Sequence, residues 1–354
     1  MNLLSALPRK LATAVALLAV VTLIACSVTV ESDAATPARA LIDRVPAGAT
    51  AIAWIDFEAL AASMSPEDWD GYEQMLQGED EDMATFERFV EATGIDPRED
   101  MMQLAFVALP TAVAPDDYLV LMSADFDRDK LEALAADAES VSYEGTTFYS
   151  AEDVFRNISE AVGQQAPEGE GMVDPETPGW VAILDDRTIA MGTDVSLQTM
   201  VDVDGGRQDG LQADAAMTGL VADVIDEGQV WFVATRDTWQ DRMDDIDQNP
   251  MVPTAAIASI ETVTMSLRMG DGMTLRIAGM ASSPETANEL TTSLNGLLGM
   301  GRMMLQQSEP ELFAIVDRAL TVRQEDSTVR IQADLTPNDM ETLQRLAEEQ
   351  VPQR

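Results

Sequence analysis

Short apolar runs alternate with amphipathic stretches along the whole chain. Apolar and small residues from Ala49 to Phe57, around Ile52 and Trp54, read as a strand, and Glu58 to Met64 then reads as helix. A second helix runs from Met83 to Thr93 and stops at Gly94. Strands at Leu104 to Leu109 and Tyr118 to Ala124 follow, then a helix over Arg128 to Ala138 with Asp125 or Asp127 as its N-cap. Val141 to Ser150 reads as two strands turning at Glu144-Gly145, and Trp180 to Met191 as a hairpin turning at Asp185-Asp186. Asp194 caps a helix to about Val203, which Gly205-Gly206 ends.

The second half runs in the same order. A helix from Ala215 to Ile225 leads into strand Gln229 to Thr235 and a polar stretch from Asp237 to Gln248. A hairpin follows over Thr262 to Ala281, turning at Gly270-Asp271-Gly272, and Pro284 opens a helix that runs toward Met304. Strands Ala319 to Gln324 and Thr328 to Leu335 turn at Asp326-Ser327. They feed a helix from Pro337 to Gln350 whose Thr336 and Asp339 stand close to a capping box.

Three matches between the halves predict a duplication. The Trp54 strand corresponds to the Trp231 strand, Tyr118 to Ala138 to Thr274 to Leu297, and Trp180 to Val201 to Ala319 to Leu346. The expected fold class is α+β, two diverged repeats of mainly antiparallel sheet with helices packed on one face. The expected boundaries are 46–206 for the first repeat and 207–350 for the second.

Ahead of them, Arg9 and Lys10 form a positive n-region, and Leu11 to Ala25 is an uncharged stretch of 15 residues. A spanning helix wants roughly 20 apolar residues, so this stretch suits a cleaved signal segment. It ends at the chain's one cysteine, in the run Leu23-Ile24-Ala25-Cys26, which resembles the bacterial lipoprotein box. That resemblance implies a signal peptide over 1–25, lipid on Cys26 and a cell-envelope location. Two or three acyl chains, at about 0.8 kcal/mol per buried methylene, anchor stably where one is reversible. Ser27 behind the cysteine favours outer-membrane sorting in enterobacterial-type envelopes. Residues 26–45, including Val28 to Pro37, read as tether and lead-in. A plain secretory peptide, cleaved before Cys26 or near Ala34-Ala35, is the competing expectation.

Charge narrows the partners. The full chain carries 63 acids and 21 bases, and removing Arg9 and Lys10 takes the mature net charge to near −44. Nucleic acid and anionic lipid surfaces are repelled by such a body. Only Lys10 and Lys130 are lysines, a balance that resembles proteins of saline habitats. Histidine is absent, which removes Ser-His-Asp and Cys-His arrangements and the commonest zinc ligands. With Cys26 committed to lipid, no disulfide supports the mature domain.

Val45-Pro46-Ala47-Gly48-Ala49 before the first strand, Asp125-Phe126-Asp127, and Tyr143-Glu144-Gly145-Thr146 before Tyr149 resemble an uncharacterised family of bacterial secreted and lipid-anchored proteins. The likeness covers most of Ala38 to Leu346, its motifs are structural, and it implies no activity.

Candidate chemistry is thin. Glu79-Asp80-Glu81-Asp82 and the group Asp241, Asp244, Asp245 and Asp247, with Gln248 and Asn249 beside it, offer oxygens but lack the calcium loop's mid-loop glycine and closing glutamate. They read as solvated acidic faces. Met300, Met303 and Met304, with the pair Met101-Met102, suit Cu(I) less well than a buried stripe. Gly299-Met300-Gly301-Arg302 lacks a phosphate loop's lysine, and no Gly-x-Ser-x-Gly or Ser-x-x-Lys occurs. No catalytic, cofactor or metal residue is singled out; lipidation at Cys26 is the one site. The expectation is a non-catalytic, lipid-anchored envelope protein that binds or scaffolds an envelope protein or ligand. The alternatives are a carboxylate-dependent hydrolase of envelope glycans and a periplasmic solute-binding component. A carboxyl pair in a deep pocket favours the first alternative, a closed polar cavity at a hinge the second, and a shallow sheet face the scaffold.

Overall fold

A computed structural model describes residues 40–63, 80–97, 99–110, 117–163, 179–240 and 258–350. They fall into two compact units that divide between Gly219 and Leu220. The first half of the chain runs through β1 (Ala51–Asp56), α1 (Phe57–Ser63), α2 (Asp80–Thr93), β2 (Met101–Ala108), β3 (Tyr118–Ala124) and α3 (Arg128–Ala135). It continues through β4 (Ser140–Tyr143), β5 (Thr146–Ser150), α4 (Ala151–Ala161), β6 (Trp180–Asp185), β7 (Thr188–Gly192) and α5 (Asp194–Asp204). After α6 (Ala215–Val224) come β8 (Val230–Thr235), β9 (Ile260–Met269), β10 (Met273–Ala281), α7 (Pro284–Ser308), α8 (Pro310–Ala319), β11 (Leu320–Glu325), β12 (Thr328–Leu335) and α9 (Pro337–Gln350). The α+β class expected from the periodicity is the class observed.

In the first unit the strand order is β1-β2-β3-β7-β6-β5-β4, antiparallel throughout. One row of facing residues crosses it: Trp54, Ala105, Leu121, Ala190, Ala182 and Phe148. None is more than 1% exposed. Large side chains beside alanines fill the layer without voids, which makes this row the centre of that unit's core. In the second unit the order is β8-β9-β10-β12-β11, again antiparallel. There α7 packs Ala287 and Leu290 on Ala281 and Val329, with Val322 and Ile260 at the margin.

Local chemistry explains most element ends. Glu144 and Gly145 both take positive φ, 47° and 86°, as a tight hairpin turn between β4 and β5 requires. Asp127 is the N-cap of α3, its side chain accepting from the Lys130 amide. Thr193, not Asp194, caps α5 by accepting from the Ser196 amide, and Asp194 lies in the first turn where its charge favours the helix dipole. The β6–β7 hairpin turns one residue later than expected. Asp185 still pairs with Thr188, and its carboxylate accepts the Arg187 amide at 2.9 Å. Two helices, α4 and α8, have no counterpart in the expected pattern. Each starts with almost no spacer, α4 directly after β5 and α8 at Pro310 just after α7, and the start signals present are the Ser150 N-cap of α4 and the Pro310 that opens α8.

The division lies beyond the expected 206/207 boundary. Residues 209–211 belong with the first unit because Ala47 donates to the Asp209 carbonyl at 3.1 Å, and Leu211 to that of Val45 at 2.8 Å. Leu211 itself is buried.

Candidate functional site

Side chains alternate across a sheet, so the residues of β9, β10 and β12 that do not meet α7 project to the other face. On that face Thr262, Thr264 and Ser266 of β9 stand opposite Met280, Ala278 and Arg276 of β10. The next strand adds Thr328, Arg330 and Gln332, and the last adds Arg323, directly opposite Arg330. A cavity of about 520 Å³ lies over this face, walled by Leu220, Asp223, Val224 and Glu227 at the end of α6. The α6 end and α7 therefore take opposite faces of the second unit's sheet, and the expected one-sided helix layer is not what forms there.

The α6 end is fixed by arginines of the neighbouring strands. Arg268 of β9 donates to the carbonyls of Asp226 and Glu227, each at 3.0 Å, in the turn that follows the last helical residue, Val224. Arg276 pairs with the Glu227 carboxylate. Gln229 closes the edge by exchanging two hydrogen bonds with the Met269 backbone, at 2.8 and 2.9 Å. Beneath this corner, Trp231 is paired with Ser266 and fully buried.

Away from α6 the face is wetter and more cationic. Arg330 pairs with Glu325 at 2.6 Å. Arg323 has no ion-pair partner among the described residues, although like charges directly opposite on paired strands repel. Hydroxyls, an amide and guanidinium forks are groups that hold and orient oxyanions. Asp223 and Glu227 sit one turn apart on the cavity wall, and Glu227 is engaged by Arg276.

Three buried aspartates lie elsewhere. Asp56 caps α1 through the Ala59 amide at 2.8 Å and faces Gln103 across β1 and β2. Burial raises its pKa above the ordinary carboxylate value. Burial likewise raises that of Asp117, against the opposing pull of the Thr193 hydroxyl and the Tyr118 amide. For Asp339 burial also acts upward, but the Thr336 hydroxyl and amide, with Arg318, together hold it below the ordinary value. Each tethers one element to another.

The sequence-derived candidates are scattered. Cys26, Glu79 and the whole group from Asp241 to Asn249 lie outside the described residues; Asp80 to Asp82 open α2. Met303 and Met304 are 62% and 68% exposed and Met300 is exposed beside them, so this is not the buried stripe that the spacing suggests. The period puts these methionines on one helix face, and the core contacts of α7 are made by Ala287 and Leu290 near its start. Met101 and Met102 are half-buried in β2. Among the described residues no three acidic side chains converge as a cation site, and no helix is long and apolar enough to cross a membrane. Arg276, Arg323, Arg330 and the β9 hydroxyls escaped the sequence reading. Their one signal was the polar alternation Thr262, Thr264, Ser266, of which Ser266, beside Trp231, is buried.

No protein-family model matches the chain, and no curated protein matches it. Among solved structures it is similar to crystal form I of TP0453, with a TM-score of 0.40 and 8% identity, over 86% of this chain and 96% of that one. A likeness that slight transfers neither fold nor function.

Proposed function

We propose that the chain is a lipid-anchored, non-catalytic binding protein of the bacterial cell envelope that receives its partner on the open face of the second unit. The observation that carries binding is the cavity of about 520 Å³ between α6 and β9-β10-β12, a size that suits a small ligand. Its lining supplies hydroxyl, amide and guanidinium groups, and of its two carboxylates, Asp223 and Glu227, the second is paired with Arg276. Anchoring is supported by the basic and apolar leader that ends at Cys26. Two experiments test the halves of this proposal. Cys26→Ser should move the protein from the membrane to the soluble fraction or block its maturation; unchanged membrane retention rejects the anchor. A photo-crosslinking residue in place of Met280, at the cavity rim, should capture an envelope component in cells, and one in place of Val141 should not. Equal capture at both positions, or none at either, rejects the binding face.

We also infer that the two units are diverged copies. The order β1-β2-β3-β7-β6 in one parallels β8-β9-β10-β12-β11 in the other. The third strand of each leads to a side-chain-capped helix, with Asp127 and Ser283 as the caps, and the hairpin of each leads to another, at Thr193 and Thr336. Each first strand ends in a helical turn, and counting back from it matches Asp56 with Thr235. On that count Trp54 matches Val233, and Trp231 matches Ile52. The tryptophans share a strand and a face but stand one pleat apart, rather than at the equivalent positions that the sequence matches suggest.

A further inference from the structure

We infer that the β12–β11 end of this face seats the oxyanion group, carboxylate or phosphate, of a small organic ligand whose body occupies the cavity; the inference rests on the binding face proposed above. By strand order and position, the row Trp54, Ala105, Leu121, Ala190 and Ala182 of the first unit corresponds to Val233, Thr264, Ala278, Arg330 and Arg323 of the second. One row is a closed apolar core; the other starts at buried Val233 and opens toward two exposed arginines. A solvated sheet face needs only polar residues, and this chain has three acids for every base. Placing Arg323 opposite Arg330, with Glu325 paired to Arg330 and none to Arg323 among the described residues, leaves a positive charge that local pairing does not cancel. A guanidinium presents a planar fork that matches carboxylate and phosphate geometry. Ala278 beside Arg330, Thr264 beyond it and Met280 at the rim supply the small, hydroxyl and apolar surfaces that the rest of such a ligand contacts. Long-range repulsion by the acidic body works against anions in general, so recognition depends on this short-range pair.

The test is a thermal-unfolding titration of the detergent-solubilised full chain with inorganic phosphate and, separately, succinate, at constant ionic strength set with NaCl. At least one probe should raise the melting temperature by 2 °C or more at low millimolar concentration, and which one does so tells phosphate from carboxylate. Arg323→Gln with Arg330→Gln should remove that response, whereas Arg128→Gln with Arg187→Gln, an equal loss of charge in the first unit, should leave it. Glu325→Gln, which frees Arg330, should strengthen it at least twofold. No response to either probe in the wild type overturns the inference, as does an equal response in the double variant or a weaker one in Glu325→Gln. Crosslinking at Met280 does not depend on the arginines, so a binding face that takes a neutral ligand would still crosslink while failing here.

Discussion

Thr193 donates its hydroxyl to Asp117 at 2.5 Å, joining the N-cap of α5 to the residue that leads into β3, 76 positions away. The same carboxylate oxygen accepts the Tyr118 amide at 2.8 Å, while the other, Oδ2, is buried with no hydrogen-bond partner among the described residues. Gly192 makes room for this junction, since a Cβ there would lie 2.3 Å from the Ser196 hydroxyl and 2.7 Å from the Tyr118 carbonyl.

Asp117 is 3% exposed, and its raised pKa sets the sign of its effect. The folded state holds the proton more tightly than the unfolded state, so Asp117 costs stability at neutral pH and the cost fades as pH falls through the raised value toward about 3.9. Asp117→Asn should be more stable than wild type at pH 7 by about 1 kcal/mol, with the gap closing near pH 4. Calorimetric melting across pH 4 to 7 measures it. A variant less stable at pH 7 would show that the charge is compensated.

Asp339 should behave in the opposite sense. Its Oδ2 accepts the Thr336 amide at 2.8 Å and hydroxyl at 2.6 Å, and Oδ1 pairs with Arg318. Because the folded pKa is depressed, its contribution is complete above the ordinary carboxylate range and disappears as pH falls below about 3.9 through the folded value. Asp339→Asn should lose about 1–2 kcal/mol at pH 7 in chemical denaturation, and the loss should shrink toward pH 3. A deficit independent of pH would place the effect in packing.

Trp54 and Trp231 are each 1% exposed. Truncating either to alanine should cost about 3–5 kcal/mol, because the small cross-strand neighbours, Ala105 of Trp54 and Ser266 of Trp231, cannot fill the cavity left behind. Urea denaturation followed by circular dichroism reads both. A cost under about 1 kcal/mol for either would mean that its strand repacks freely.

Carboxylate repulsion in so acidic a chain should respond to salt. Screening shortens from a Debye length of about 10 Å at 0.1 M to about 3 Å at 1 M. Raising NaCl over that range should increase the melting temperature by several degrees. A flat profile would show that the acids are already dispersed or ion-paired.

Much of the fold was legible because its signals are local. The bounds of β3 match the expected Tyr118 to Ala124, and α9 follows Thr336 as its capping box requires. Asp127 and Thr336 act within four residues of themselves, so sequence spacing carries their roles. The helices α4 and α8 were missed although Ser150 caps one and Pro310 opens the other, because each abuts its predecessor with no glycine or turn between them.

From sequence alone came the α+β class, the hairpin turns and the charge, all properties of neighbouring residues or of composition. Tertiary structure decided that Arg323 faces Arg330, that α6 walls a cavity over Thr264, and that Asp117 is buried against Thr193. Those depend on which strands become neighbours and in what register, as when β3 pairs with β7 across an intervening hairpin, two helices and β6. Strand alternation says only that a residue faces one side or the other; whether that side becomes a closed core, as at Trp54, or an open face, as at Arg330, is set by the helices that come to lie over it.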